Sequence, residues 1–300
     1  MRKGLAALAR ERIRGELLVD EPLSLHTSLK VGGPADLFVA PADLADLRGL
    51  LRFLADHGAP YLVIGGGYNL LVRDGGFRGV AVALRNLHEL EALPGGLLGA
   101  GAGVTNGALV RFSEERQLAG LEFLIGIPGS VGGALAMNAG AHGESVLERL
   151  ENLTTLAGGE LRTRTREELA YGYRFLQLEP GEVIVKAAFR LAQGNPAEIE
   201  ERIERFLAHR RNTQRVSHPN AGSFFKNPEG EQAWRLVDGA GLRGCRIGGA
   251  QVSEVHANFL VNRGGATAKD FLALAALIKE RVKETSGIDL EEEVRIVGED

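Results

Sequence analysis

An α+β chain is expected from three features of this 300-residue sequence. Its opening third carries a strand–helix–strand run of the kind that builds α/β layers. Its middle is dense in glycine, with 41 glycines in the whole chain, about twice the usual ~7%. From Leu150 onward the texture changes to short alternating segments rich in β-branched residues, as in an antiparallel sheet.

Taken in order, residues 1–18 (MRKGLAALARERIRGELL) hold an apolar stretch too short, and too soon broken by charge, for a signal peptide. They read as an amphipathic helix. Asp36–Pro41 is a short strand. Leu44, Leu47, Leu50, Leu51 and Leu54 recur at helical spacing and predict a helix over Leu44–His57. Tyr61–Ile64 follows as a strand that ends on Gly65-Gly66-Gly67. Val80–Leu84 and Leu97–Ala100 are further strands, and Thr105 is the N-cap of a helix reaching Gln117. Leu153–Leu156 and Glu160–Thr165 flank Gly158-Gly159, a hairpin signal, and Val183–Leu191 joins them. Gly194-Asn195-Pro196 punctuates the chain and marks a boundary near Asn195. Beyond it come helices at Ala197–Arg211, Gln232–Val237 and Lys269–Glu284, and strands at Asn258–Val261 and Glu293–Val297.

Composition excludes several function classes. The net charge of −4 and the lack of a long basic run give no case for nucleic-acid binding. No stretch approaches the ~20 apolar residues of a membrane span. The lone Cys245 excludes an internal disulfide and fits a reducing, cytoplasmic compartment. The histidines show no paired metal spacing, so no metal site is expected.

The chemistry-bearing signal is glycine. In Gly126–Gly143 (GIPGSVGGALAMNAGAHG), glycines fall at 126, 129, 132, 133, 140 and 143 with almost no charge between them. A core helix does not tolerate that density, since each interior glycine costs ~0.5–1 kcal/mol relative to alanine. Two readings fit: backbone amides closing on an anionic ligand, or two backbones crossing tightly. The turn Gly65-Gly66-Gly67-Tyr68-Asn69 at a strand's C-terminal end is a second such place. Ile64, Leu70, Ile127 and Met137 beside these clusters suit either a ring system or ordinary core. A third cluster, Gly99–Gly107 (GAGAGVTNG), invites a dinucleotide fingerprint but fails it, because Asn106 occupies the third glycine position. No phosphate-binding GxxxxGK[ST] is present.

Polar residues concentrate later. Ser223 sits in NAGSFFKNP between a glycine and two phenylalanines, with no nucleophile elbow around it; it reads as a proton donor or as a turn serine. Tyr173-Arg174 suits a carboxylate or phosphate, or a surface arginine stacked on a ring. In the acidic run Glu291-Glu292-Glu293, strand alternation puts Glu291 and Glu293 on one face.

Together these segments resemble the MurB family, the UDP-N-acetylenolpyruvoylglucosamine reductases of bacterial cell-wall synthesis. The matching stretches are TSLKVGGPADL (27–37), IGGGYNLL (64–71), GLEFLIGIPGSVGGALAMNAGAHG (120–143), Tyr173-Arg174, AGSFFKNP (221–228), IGGAQVSEVH (247–256), NFLVN (258–262) and LEEEV (290–294). They occur in family order over nearly the whole chain, in the form of the shorter subclass that lacks an inserted loop of the substrate domain. The resemblance implies a two-part FAD-binding module of the PCMH/VAO type, 1–75 and 76–195, followed by an α+β substrate-binding domain, 196–300. It implies FAD as hydride carrier, NADPH as reductant and the enolpyruvyl ether of a UDP-sugar as acceptor. Ser223 matches the family's proton donor, Glu293 its catalytic glutamate and Arg174 the arginine that polarises the substrate carboxylate. Cofactor contacts are expected at Gly65, Gly66, Gly67, Asn69 and Leu70, and at Gly126, Gly129, Ser130, Gly132, Gly133, Met137, Asn138 and Gly140. Substrate contacts are expected at Tyr173, Lys226, Asn227 and His256. Three positions depart from the pattern: Tyr68 for a small serine, Phe175-Leu176 after the arginine, and Arg215 for a proline. The competing classes are a flavin oxidase on the same module and a non-catalytic UDP-sugar-binding protein. AGSFFKNP argues against the first, and retention of Ser223, Arg174 and Glu293 against the second.

Overall fold

The structure, a computed structural model, describes residues 9–300. Residues 1–8 of the expected N-terminal helix therefore lie outside the described residues, and Glu16–Leu18, placed in it from sequence, belong instead to a strand, Glu16–Pro22.

The chain divides into two compact units, each drawn from several segments. Unit 1 takes the described residues to Val19, Asp36–Gly66 and Gly79–Arg210; unit 2 takes Asp20–Ala35, Gly67–Arg78 and Arg211–Asp300. This grouping is coarser than the three successive segments expected from sequence, and it places Gly66 and Gly67 in different units.

Unit 1 contains the strand–helix–strand run. Helix α1 (Leu44–Asp56) starts at Asp43, whose carboxylate accepts the Asp46 N–H at 2.9 Å. Its apolar face buries Leu47, Leu50, Leu51 and Leu54, as the spacing requires. Tyr61–Ile64 lies parallel to Phe77–Ala83, from Tyr61 opposite Val80 to Ile64 opposite Ala83, within a four-stranded sheet. A five-stranded antiparallel sheet follows, ordered Glu160–Thr165, Leu150–Ala157, Val183–Arg190, Leu97–Gly101 and Leu90–Leu93. The Gly158-Gly159 hairpin has both residues at positive φ, +57° and +80°, where glycine is the residue that fits. Around this sheet pack α2 (Asn106–Glu114), capped by Thr105, and the short α3 (Val131–Ala136), capped by Ser130. Helix α4 (Pro196–Thr213) buries Ile199, Ile203 and Phe206 in the same core.

Unit 2 is built on an antiparallel four-stranded sheet, ordered Asn220–Ser223, Phe259–Asn262, Ala250–Val252 and Arg246–Ile247. Helices α5 (Ala233–Gly239) and α6 (Ala268–Ser286) share a core with it that includes Phe224, Phe225, Val237, Phe271 and Ile278. Helix α6 opens on a Thr267/Asp270 capping box and ends on Gly287 at φ +73°, both favourable terminators. Arg295–Val297 pairs in parallel with Leu70–Val72. The expected strand over Glu293–Val297 is therefore two residues shorter at its start, and Glu293 precedes it. Among the described residues no helix is long and apolar enough to cross a membrane, and no group of three or more His, Cys, Asp or Glu could hold a metal ion.

Candidate active site

In unit 1 two of the glycine clusters meet. A β-carbon on Gly65 would sit 2.7 Å from Ser130 Oγ, closer than real β-carbons approach. Ser130 is buried and its hydroxyl accepts the Gly133 N–H at 3.4 Å. The third cluster, the failed dinucleotide fingerprint, supports this loop. Val131 N–H donates to Val104 C=O at 2.8 Å, Gly132 N–H to Ala102 C=O at 2.9 Å, and Asn106 N–H to Gly129 C=O at 3.0 Å. The strand beneath, Leu97–Gly101, is antiparallel to both its neighbours, which rules out the parallel unit a Rossmann site needs.

The two readings of the glycines separate by position. Gly101, Gly103, Gly132 and Gly140 are crossings. Added β-carbons there would lie 2.3, 2.1, 2.9 and 2.3 Å from Leu87 O, Leu84 O, Ala102 Cβ and Glu144 O respectively. Gly133 is different: it is exposed, and its β-carbon would meet only Ser130 Oγ, at 3.6 Å. No packing among the described residues demands glycine there. Beside it Asn106, buried and 1% exposed, donates Nδ2 to Ile127 C=O at 3.1 Å while its Oδ1 has no partner among the described residues. An orphaned buried acceptor and a glycine facing open space are what a bound cofactor would account for.

Asn138, expected at the cofactor, commits its side chain elsewhere. Nδ2 donates to Gly172 C=O at 2.8 Å and Oδ1 accepts Leu147 N–H at 3.2 Å. It thereby anchors the hairpin Tyr171–Gly172/Phe175–Leu176. At the tip of that hairpin Arg174 adopts φ +56°, a conformation that costs a non-glycine residue ~1–2 kcal/mol. Its Nη2 donates to Gly140 C=O at 3.1 Å and its guanidinium lies 4.9 Å from the Tyr173 ring centroid. Tyr173 and Phe175 are exposed.

Unit 2 holds Ser223 and Glu293, and its backbone brings their segments together. Asn220 pairs with Val261 and Ser223 with Phe259, so one extra residue is accommodated between them. Gly222 turns there at φ +73°, and such a bulge re-aims the side chain that follows. Phe224 N–H donates to Asn258 C=O at 2.7 Å, and the buried Asn258 side chain grips Phe225 on both sides, accepting its N–H at 3.0 Å and donating to its C=O at 2.8 Å. Phe224 C=O accepts Glu293 N–H at 2.8 Å, and Lys226 N–H donates to Glu291 C=O at 2.8 Å. The acidic run then divides: Glu291 pairs with Lys226 at 2.5 Å and Glu292 with Lys279 at 3.1 Å, and neither lysine takes Glu293 in these pairs.

The remaining expected substrate residues also lie in unit 2. Asn227 is exposed, and its Oδ1 accepts Ala233 N–H at 3.1 Å. His256 is half-buried between Phe259 and Trp234, with ring centroids at 4.6 and 6.3 Å. Burial, then the Arg243 charge, lowers its pKa below 6.5. Its Nδ1 accepts Asn258 N–H at 3.3 Å. Four residues that matter to the framework escaped sequence reasoning: Asn106, Asn258, the anchoring use of Asn138, and Arg210. Arg210 Cδ lies 3.0 Å from where a β-carbon on Gly126 would be, and burial lowers its pKa. Only Asn106 carried a signal, as the residue that broke the fingerprint.

Comparison with known proteins gives the family. Residues 35–163 match the FAD binding domain family, and 214–297 match the C-terminal domain of UDP-N-acetylenolpyruvoylglucosamine reductase. The reductase of that name from Geotalea uraniireducens is 65% identical over 288 residues, covering 96% of each chain. The crystal structure of the Thermus caldophilus enzyme (MurB) superposes with a TM-score of 0.81 at 35% identity, covering 95% of this chain and 99% of that one. The glucose dehydrogenase Phl p 4 shares only the fold, with a TM-score of 0.50 at 15% identity over 64% of this chain and 44% of its own. With its FAD-binding domain of the PCMH type and its C-terminal match, the chain belongs to the UDP-N-acetylenolpyruvoylglucosamine reductase family.

Proposed function

We propose that this protein uses NADPH and FAD to reduce the enolpyruvyl ether of UDP-N-acetylglucosamine enolpyruvate to UDP-N-acetylmuramate, a step of peptidoglycan precursor synthesis in the cytoplasm. The observation that carries the reading is the whole-length 65% identity to a reductase of that name, with Arg174, Ser223 and Glu293 at the matched motif positions. Bound FAD supplies the hydride-transfer chemistry.

The chain's residues do the rest. Hydride arriving at the terminal enol carbon leaves negative charge on the neighbouring carbon and its carboxylate. Arg174, fixed by the anchored hairpin of unit 1, stabilises that charge. In unit 2 the Ser223 hydroxyl delivers a proton to the carbon that gained no hydride. Glu293 serves the same step as acid or as polar partner of the developing charge. Tyr173, Lys226, Asn227 and His256 contact the UDP-sugar. Gly133 and Asn106 support FAD placement along the loop of unit 1, where Gly65, Gly66, Gly126, Gly129, Ser130, Gly132, Met137, Asn138 and Gly140 form its surroundings, with Gly67, Asn69 and Leu70 on the turn that continues into unit 2. Asn138 takes part through its main chain, since its amide is engaged elsewhere. By this reading 1–75 and 76–195 are the halves of the flavin module and 196–300 the substrate domain.

The purified protein is then yellow, bleached by NADPH and recoloured by the enolpyruvyl sugar nucleotide. A colourless protein that takes up no added FAD, or a bleached one that the nucleotide does not recolour, overturns the reading.

A further inference from the structure

Asn69 lies in the glycine-rich turn that the sequence assigns to the cofactor. Its side chain is used differently. Nδ2 donates to the carbonyl of Glu293 at 2.9 Å, across 224 residues of chain. The Asn69 carbonyl in turn accepts Arg295 N–H at 3.1 Å. Asn69 therefore brackets the Glu293–Arg295 backbone, with one bond on either side of Val294.

The ladder geometry explains why a side chain is needed. The parallel pairing of Leu70–Val72 with Arg295–Val297 begins at Leu70 opposite Arg295. Glu293 lies beyond that last rung, and its carbonyl has no place in the ladder. The Asn69 amide stands in for the missing backbone N–H and extends the pairing by one rung. Only an amide of this length offers a donor there; aspartate of the same size is an acceptor. The preceding peptide is held by Phe224, whose carbonyl accepts Glu293 N–H at 2.8 Å. Both polar groups of the Glu293 backbone are thus fixed, one by the neighbour of Ser223 and one by a residue of the cofactor turn.

We infer that Asn69 is a positioning residue for Glu293, acting on reduction of the sugar nucleotide rather than gripping FAD through its side chain. The inference rests on the reading of Glu293 as catalytic. Misplacing a catalytic group by about 1 Å can cost ~10²-fold in rate, so the effect is readable.

The test uses holoenzyme with Asn69→Ala, Asn69→Asp, Glu293→Gln and the double variant Asn69→Ala/Glu293→Gln. Flavin content is read from absorbance, and stopped flow separates flavin reduction by NADPH from reoxidation by the enolpyruvyl nucleotide. Expected are parental flavin content, unchanged reduction by NADPH, and reoxidation slowed ~10–100-fold in both Asn69 variants. The double variant should reoxidise no more slowly than Glu293→Gln alone, because residues acting through one group are not additive. Loss of flavin from either Asn69 variant overturns the inference by making Asn69 a cofactor ligand. Parental reoxidation in the Asn69 variants overturns it too, as does multiplicative slowing in the double. If Asn69→Ala does not fold, Asn69→Asp, equal in size, is judged by the same results. Parental reoxidation in Glu293→Gln sinks the catalytic reading itself, and that outcome is visible in the single variant.

Discussion

Glu293 donates its backbone N–H to the carbonyl of Phe224 at 2.8 Å, and Phe224 directly follows Ser223. The hydroxyl and carboxyl groups assigned to one chemical step thus hang from two segments joined edge to edge. A change at one backbone moves the other, so side-chain truncations that spare the backbone are the informative variants.

Ser223→Ala is the cleanest of them. Flavin reduction by NADPH involves no proton from this hydroxyl and should stay nearly intact. Reoxidation by the enolpyruvyl nucleotide should slow by ~10²–10⁴, the usual loss for a missing acid catalyst. Ser223→Cys keeps a donor of similar size and should retain more activity than alanine. Stopped-flow rates of the two half-reactions decide: equal slowing of both would make Ser223 only a turn residue.

Gly132 and Gly133 are neighbours with opposite expected phenotypes. A β-carbon at 132 collides with Ala102 at 2.9 Å, whereas one at 133 meets only Ser130 Oγ at 3.6 Å. Gly132→Val should therefore lower the melting temperature. Gly133→Val should fold with unchanged or slightly higher stability, since valine is the better helix former, yet purify without flavin. Wild-type flavin content in soluble Gly133→Val would remove the cofactor from this loop.

Much of this was legible before any coordinates. The leucine spacing of Leu44–Asp56, the Gly158-Gly159 turn and the Thr105 cap are local signals, and local signals survive folding. What stayed hidden is long-range. Asn69, Asn106, Asn138 and Asn258 each clamp a backbone group distant in sequence, and an asparagine in a loop looks the same whether it clamps or is solvated. The strand Asn220–Ser223 was missed because NAGS carries no β-branched residue. Glu293 was placed in a strand because it adjoins Val294-Arg295-Ile296-Val297, although the ladder begins only at Arg295. Gly99–Gly107 invited a dinucleotide fingerprint that Asn106 broke, and Gly101 and Gly103 there are crossings, because a crossing and a cradle call for the same residue.

Arg174, half-buried between the exposed Tyr173 and Phe175, holds a strained backbone. At φ +56° its replacement by glycine relieves ~1–2 kcal/mol of backbone strain, against ~0.5–1 kcal/mol for glycine's greater freedom in the unfolded chain. Arg174→Gly should therefore melt at or slightly above the parental temperature and keep its flavin. Reduction of the sugar nucleotide should be lost in this variant and in Arg174→Ala alike. Colourless protein from either would make Arg174 a cofactor ligand, and parental sugar reduction would remove it from catalysis.

His256 makes stability depend on pH. Burial, followed by the positive charge of Arg243, holds its pKa below the ordinary 6.5. The unfolded chain therefore binds the proton more readily than the folded one. The sign follows: stability is complete above the unfolded value and is lost as pH falls through the window toward the lower folded value. Above that window the ring is neutral, and with Nδ1 accepting Asn258 N–H at 3.3 Å its own proton sits on Nε2. Protonation would put a second donor against that N–H and loosen the Asn258 segment that grips Phe225. His256→Gln removes the titration while keeping a polar side chain. Its melting temperature should fall less than the parent's between about pH 7.5 and about pH 5.5, the range in which histidine titrates. Thermal melts of both proteins across that range measure the difference, and parallel curves would assign the acid sensitivity to other groups.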